Sequence, residues 1–151
     1  RKNVPGFEKS FILDTASQLG TRGSRRLVGE YTVTKENAGP PHDDTIVVFR
    51  RVGPAADQTR AYVPYRALVP KTSEGLLVAG RCFSSDSVAN DMLNLIPHCV
   101  AMGEAAGTAA ALAAKHNVSA RNVDVSLVQA NMVKLGFPIP AAPQPATQHA
   151  R

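Results

Sequence analysis

Arg22, Arg25 and Arg26 fall within five residues in the stretch Gly20-Thr21-Arg22-Gly23-Ser24-Arg25-Arg26. A guanidinium is a planar fork of N–H donors that matches a carboxylate, so this glycine-bounded loop is a candidate clamp for an acidic small-molecule substrate. A solvated basic turn is the competing reading. Tyr65-Arg66, inside Val63-Pro64-Tyr65-Arg66, pairs a phenol with a guanidinium and is a second catalytic candidate; a tyrosine packed on a sheet edge is the alternative. His98 stands near the start of a long apolar segment, where it could relay protons or simply pack or cap. Glu104, further along the same segment, suits orienting a neighbour or pairing at the surface. The two cysteines, Cys82 and Cys99, have no Cys or His partners at ligand spacing, so no metal site is expected. They read as free, buried thiols in a reducing compartment, which points to the cytoplasm.

Positioning these groups requires a scaffold. Gly75-Leu76-Leu77-Val78-Ala79-Gly80 is a continuous apolar run bounded by glycines, as buried strands read. Arg81 to Ile96 is polar and reads as a loop. A long helix is expected from Pro97, which suits a first helical turn, to about His116. A second is expected from an Asp124 N-cap to Leu135, closed by Gly136, with Val128, Met132 and Leu135 on one face. Upstream, Phe11–Leu13, Arg26–Thr34 and Thr45–Phe49 read as strands. Ala61–Pro70, with prolines at 64 and 70, reads as extended chain at a sheet edge. Ala141 to Arg151 reads as a frayed tail.

A glycine-ended strand followed by a long helix aims the helix N-terminus at the strand's carboxyl end, where ligands collect in open α/β sheets. That terminus offers free N–H donors and about half a positive charge. Gly103, Ala106, Gly107, Ala110, Ala111 and Ala114 give the helix a face without bulk, suited to another backbone or a flat cofactor. Tight packing on a sheet explains the same composition.

The 151 residues, 44% of them hydrophobic, exclude a disordered chain. The net charge of +5 is spread out: ten basic and seven acidic residues lie in 1–60, seven and five in 61–151. With 5% aromatics and no tryptophan, a nucleic-acid module built on Arg22, Arg25, Arg26, Arg50 and Arg51 is disfavoured. The run Val100–Ala114 is interrupted by Glu104 and too short for a bilayer, so no membrane partner is expected.

The segments "VPYRALVP", "EGLLVAGRCFSS" and "MLNLIPHCVAMGEAAGTAAALA" resemble the C-terminal part of the FAD-dependent oxidoreductase family, within the succinate dehydrogenase/fumarate reductase-like, glutathione-reductase-type flavoproteins. "DTASQLGTRGSRRLVGEYTVT" is similar to the segment before that family's cap returns to the flavin domain. The resemblance implies an α+β fragment of an α/β FAD-binding, glutathione-reductase-like fold: strands first, then strand, loop and two helices. It implies a cap and sheet-edge β segment over 1–70, the flavin side of the FAD domain over 71–137 and a flexible tail over 138–151. Ala79, Gly80, Arg81, Ser84, Asn94, Leu95, Ile96, Pro97, Cys99, Val100 and Gly103 would then bind FAD. The helix amides would face the N1/C2=O edge of the isoalloxazine, where negative charge gathers on reduction.

Two departures stand out. The fingerprint G-x-G-x-x-G that holds the ADP half is absent, so FAD would be shared with an N-terminal Rossmann-type segment, or the chain would associate with itself. Ser87 and Asn94 occupy places where relatives carry His and Arg, so roles attached to those residues are not transferred. The opening Arg1-Lys2-Asn3-Val4-Pro5-Gly6-Phe7 reads as the middle of a protein.

Overall fold

In the computed structural model, which describes residues 3–50 and 60–140, the elements in chain order are β1 (Thr45–Arg50), β2 (Arg60–Pro64), α1 (Ser87–Leu93), α2 (Ile96–His116) and α3 (Val125–Lys134). Short 3-10 turns lie at Tyr65–Ala67, Gly80–Cys82 and Ala120–Asn122. Arg51 and the segment 141–151, read above as basic contact and frayed tail, lie outside the described residues.

The core is organised by a stripe on α2. His98, Ala101, Met102, Ala105, Ala109 and Ala113 are buried, a run of helical spacings that defines one face. Alanines let this face approach β1, whose Ile46 and Val47 are buried to 1% exposure or less. Antiparallel β2 pairs with β1, with Val47 opposite Val63 and Val48 opposite Tyr62, and a bulge between Thr45 and Val47. From α3, buried Val128 and Met132 complete the layer. Leu135, predicted on that face, is 52% exposed instead, because α3 ends at Lys134 and Leu135 forms its C-cap.

Both helix expectations hold. Asp124 caps α3 by accepting from the Ser126 N–H, and Gly136 takes a left-handed φ of 89° just past its end. At the other end of α2, Asn117 adopts φ 51° and its N–H reaches the Ala113 and Ala114 carbonyls. The predicted strand at Thr45–Phe49 is β1.

Five readings need correction. Phe11, Ile12 and Leu13 form no strand and are 73–88% exposed, since no described segment offers them backbone partners. Arg26–Thr34 forms only isolated bridges, Gly29 with Pro70 and Val33 with Ser85. Leu76–Ala79 is extended but unladdered: its described backbone bond to another segment is Val78 N–H to the Leu68 carbonyl, 2.9 Å, and Leu76 is 49% exposed. A buried strand needs partners on both edges, and this chain brings a carbonyl to one. Finally, the extended segment 61–70 stops at Pro64 and turns into the 3-10 turn Tyr65–Ala67, while the polar stretch 81–96 holds α1. Its Asp86 accepts from the Ala89 N–H at 2.6 Å, the N-cap that starts the helix.

Met132 is fully buried against α2 and the core, whereas Leu19 is 92% exposed. Met132→Ala is expected to cost about 2–5 kcal/mol in urea unfolding of the full protein, and Leu19→Ala less than about 0.5 kcal/mol.

Candidate functional site

Asp86 caps α1 and Asp124 caps α3, but α2, the longest helix at 21 residues, receives no side-chain cap at its N-terminus. Its N-cap, Leu95, is extended at φ −71° and ψ 157°. Pro97 has no N–H, so the amides of Ile96 and His98 carry the terminus's donor capacity. Around them Leu95, Ile96 and Val100 are 42–70% exposed, so apolar side chains frame the turn without closing it.

The 3-10 turn Gly80–Cys82 lies directly beside this terminus. Gly80 adopts φ 81°, and a Cβ there would meet Cys99 Cβ at 3.8 Å and Sγ at 3.9 Å. Arg81 Nε donates to the Asn94 carbonyl at 3.1 Å, and Cys99 Sγ approaches the same oxygen at 3.7 Å. Asn90 Nδ2 donates to the Arg81 carbonyl at 2.9 Å. Leu27 N–H reaches the Cys82 carbonyl at 2.8 Å, and Arg22 Nη2 donates to Asn94 Oδ1 at 2.8 Å. The arginine loop is thereby brought to the helix terminus. Cys82 is exposed and Cys99 half-buried, so the expectation of two buried thiols is corrected.

Asn94 is fully buried, and its Nδ2 has no partner among the described residues. A buried donor left unmade costs about 1–3 kcal/mol. Asn90, which the sequence reading passed over, fixes the turn from behind. The Asp86 cap three residues before Ala89 was the signal that could have placed it on a helix.

The other candidates separate from this cluster. Ser84 is fully buried, and its hydroxyl accepts from Gly29 N–H at 3.1 Å and contacts Thr32 Oγ1 at 3.2 Å, so it ties the 29–33 segment to the body. Tyr65 is buried, donates to the Ala120 carbonyl at 2.7 Å, and burial pushes its phenol up to about 12. His98 points inward against Phe49, ring centroids 3.8 Å apart, and burial lowers its imidazole below the ordinary value, with the Leu93 carbonyl acting the other way. Both side chains are packed into the body, Tyr65 from the 3-10 turn after β2 rather than from a sheet edge. Arg66 forks onto Asp44 and Asp43 and lies over the Tyr31 ring. Arg26 is half-buried and Arg25 exposed, and no carboxylate among the described residues pairs with either. Ala79 lies half-buried just before the turn; Gly103 and Gly107 are exposed, with open space where a Cβ would project. Glu104 is exposed on the same side of α2. A groove of about 470 Å³ between the C-terminal half of α2 and α3 contains none of the predicted site residues.

A family model described as FAD dependent oxidoreductase matches residues 1–132. The chain belongs to the FAD dependent oxidoreductase family. No curated protein and no solved structure matches it. Membership implies FAD as cofactor and a flavin-linked redox role. Among the described residues no cluster of His, Cys, Asp or Glu could hold a metal ion, and no single helix is long and apolar enough to cross a membrane.

Burial pushes the Asp44 carboxyl up, but hydrogen bonds and charge from Arg66 outweigh it and hold the group below the ordinary carboxylate range. Asp44 therefore stabilises the fold above its unfolded value, and that contribution is lost as pH falls through the folded one. Arg66→Gln removes the opposing charge and leaves burial. The Asp44 midpoint, followed by NMR, is expected to move upward, and acid unfolding to begin at higher pH.

Proposed function

We propose that this chain supplies the isoalloxazine-side half of the FAD site in an oxidoreductase of the succinate dehydrogenase/fumarate reductase-like, glutathione-reductase-type class. In this reading 71–137 belongs to the FAD domain, 1–70 to a cap and sheet edge, and 138–151 trails from it. The observation that carries it is the uncapped terminus of α2, set against the positive-φ turn at Gly80. A helix end with unspent N–H groups favours an electron-rich carbonyl or an anion.

The residues present fit such a group. Gly80 keeps the turn clear of a side chain, and the uncapped amides at the start of α2 would donate to an acceptor edge. Arg81 is held by the Asn94 carbonyl, which fixes the turn it sits in. Bound FAD would supply the hydride or electron transfer. The chain's own part is electrostatic: a fixed dipole stabilises negative charge at an oxygen edge without reorganising. Gly103 and Gly107 leave the adjoining face of α2 open to close approach.

The ADP half of the cofactor would be held by a Rossmann-type segment, because the chain carries no G-x-G-x-x-G. The exposure of Phe11, Ile12, Leu13, Leu19, Leu76 and Val28 supports a larger body that covers them, or self-association. The unladdered run Leu76–Ala79 supports the same reading: it has the composition of an inner strand and lacks partners on one edge.

Ile96→Asp tests this. A carboxylate in the first turn stabilises α2 by about 0.3–1 kcal/mol through the dipole. The same carboxylate opposes an acceptor edge, and FAD binding is expected to weaken about tenfold. Thermal melting of the apoprotein and flavin absorbance per mole of the full protein read the two effects separately. An unchanged flavin content would sink the placement of FAD at this helix end.

A further inference from the structure

The groove of about 470 Å³ between α2 and α3 lies at the C-terminal half of α2, away from the helix end described above. The two helices run antiparallel: Asn131 Nδ2 donates to Thr108 Oγ1 at 3.0 Å, while Leu112 and His116 share an adjoining cavity of about 250 Å³ with Leu127 and Asp124. Ala111, Leu112, Leu127 and Ala130 form an apolar floor, and Leu127 is 42% exposed. Lys115 belongs to the last turn of α2 and Lys134 to the last turn of α3. Antiparallel packing therefore puts one ammonium towards each end of the groove, about 15 Å apart along the helix axes. Neither lysine is in an ion pair among the described residues. Each faces the C-terminus of its own helix, but about half a negative charge there leaves much of an ammonium uncompensated. Asp124, in the adjoining cavity, spends its carboxylate on the Ser126 N–H and hydroxyl.

An apolar trough with a cation at each end takes an apolar segment flanked by acids. Two such grooves cannot meet face to face, because lysine would then oppose lysine. The chain itself carries the complement. Phe11, Ile12 and Leu13 are 73–88% exposed and make no described backbone hydrogen bond to another segment. They stand between Glu8 and Asp14, with Lys9 the one base in that stretch. At full extension Glu8 and Asp14 are about 21 Å apart, within reach of two lysines on long side chains. The exposure of the triplet shows that it does not fill the groove of its own chain. We propose that Phe11–Leu13 of one copy lies in the α2–α3 groove of a second copy, with Glu8 and Asp14 on its two lysines. Made reciprocally, the two contacts close a two-fold dimer. The arrangement does not depend on where FAD sits.

Analytical ultracentrifugation of the full chain tests this, with the double variants K115E/K134E and E8K/D14K run alone and as an equimolar mixture. The native chain is expected to dimerise reversibly. Each double variant alone is expected to self-associate about tenfold more weakly, because segment and groove then carry like charge. The mixture is expected to regain the native affinity, since both contacts of the mixed dimer again join opposite charges. L13S is expected to weaken the dimer about tenfold through lost apolar burial. All five substituted residues are exposed, so each variant keeps the native circular dichroism. A native chain that stays monomeric up to about 100 μM overturns the proposal and leaves the groove to a different partner. A dimer that L13S and both double variants leave within twofold of native also overturns it. A mixture no tighter than its components overturns the reciprocal exchange.

Discussion

The buried alanine stripe of α2 is the constraint on which the site depends. Ala101, Ala105, Ala109 and Ala113 present only methyl groups to the core, so the helix axis lies close to β1 and cannot rotate without exposing them. Turning the helix by one residue would bring Gly103 or Glu104 inward, trading buried methyls for empty space or a charge. With the axis held, the position of the N-terminal turn beside Gly80–Cys82 is also held. Hydrogen bonds converging on the Asn94 carbonyl then lock the approach of the chain into the helix.

Against that rigid frame the two ends of α2 are treated differently. The C-terminus is closed: Asn117 folds back onto the last carbonyls, and Lys115 and His116 stand in the final turn where positive charge complements the dipole. The N-terminus is left open, while the shorter helices α1 and α3 each receive an aspartate. A long helix with one end satisfied and the other waiting concentrates its donor capacity in one place. A fixed set of donors of this kind meets an acceptor with little reorganisation.

The charged side chains divide along the same line. Arg66 and Arg121 are consumed by structure, the first on Asp43 and Asp44, the second on Glu30, Glu74 and the Pro70 carbonyl. These bonds fasten the 28–44 segment and the turn at 120–122 to the body. Arg22 and Arg81 instead spend their described bonds on oxygens of Asn94, which leaves their positive charge unneutralised near the open helix end. Neither division is visible from residue type, since a guanidinium reads alike in both settings.

What local sequence determined by itself were the elements whose signals are chemical and short-range. Pro97, the alanine-rich run, Asp124 and Gly136 place α2 and α3 to within a residue, because caps and helix propensity act over one turn. Thr45–Phe49 reads as β1 for the same kind of reason. The apolar run at Leu76–Gly80 and the triplet Phe11–Leu13 read as strands but form none, because a ladder needs a second backbone and local composition cannot supply one. Of the candidate site, Gly80, Arg81 and the turn from Asn94 to Val100 were legible through strand–helix logic and family likeness. Only the tertiary structure sent His98 and Tyr65 into the core, gave Ser84 to Gly29, and brought Arg22 across 72 positions to Asn94. Those outcomes are settled by which side chains share one space after packing, and spacing along the chain carries no record of that.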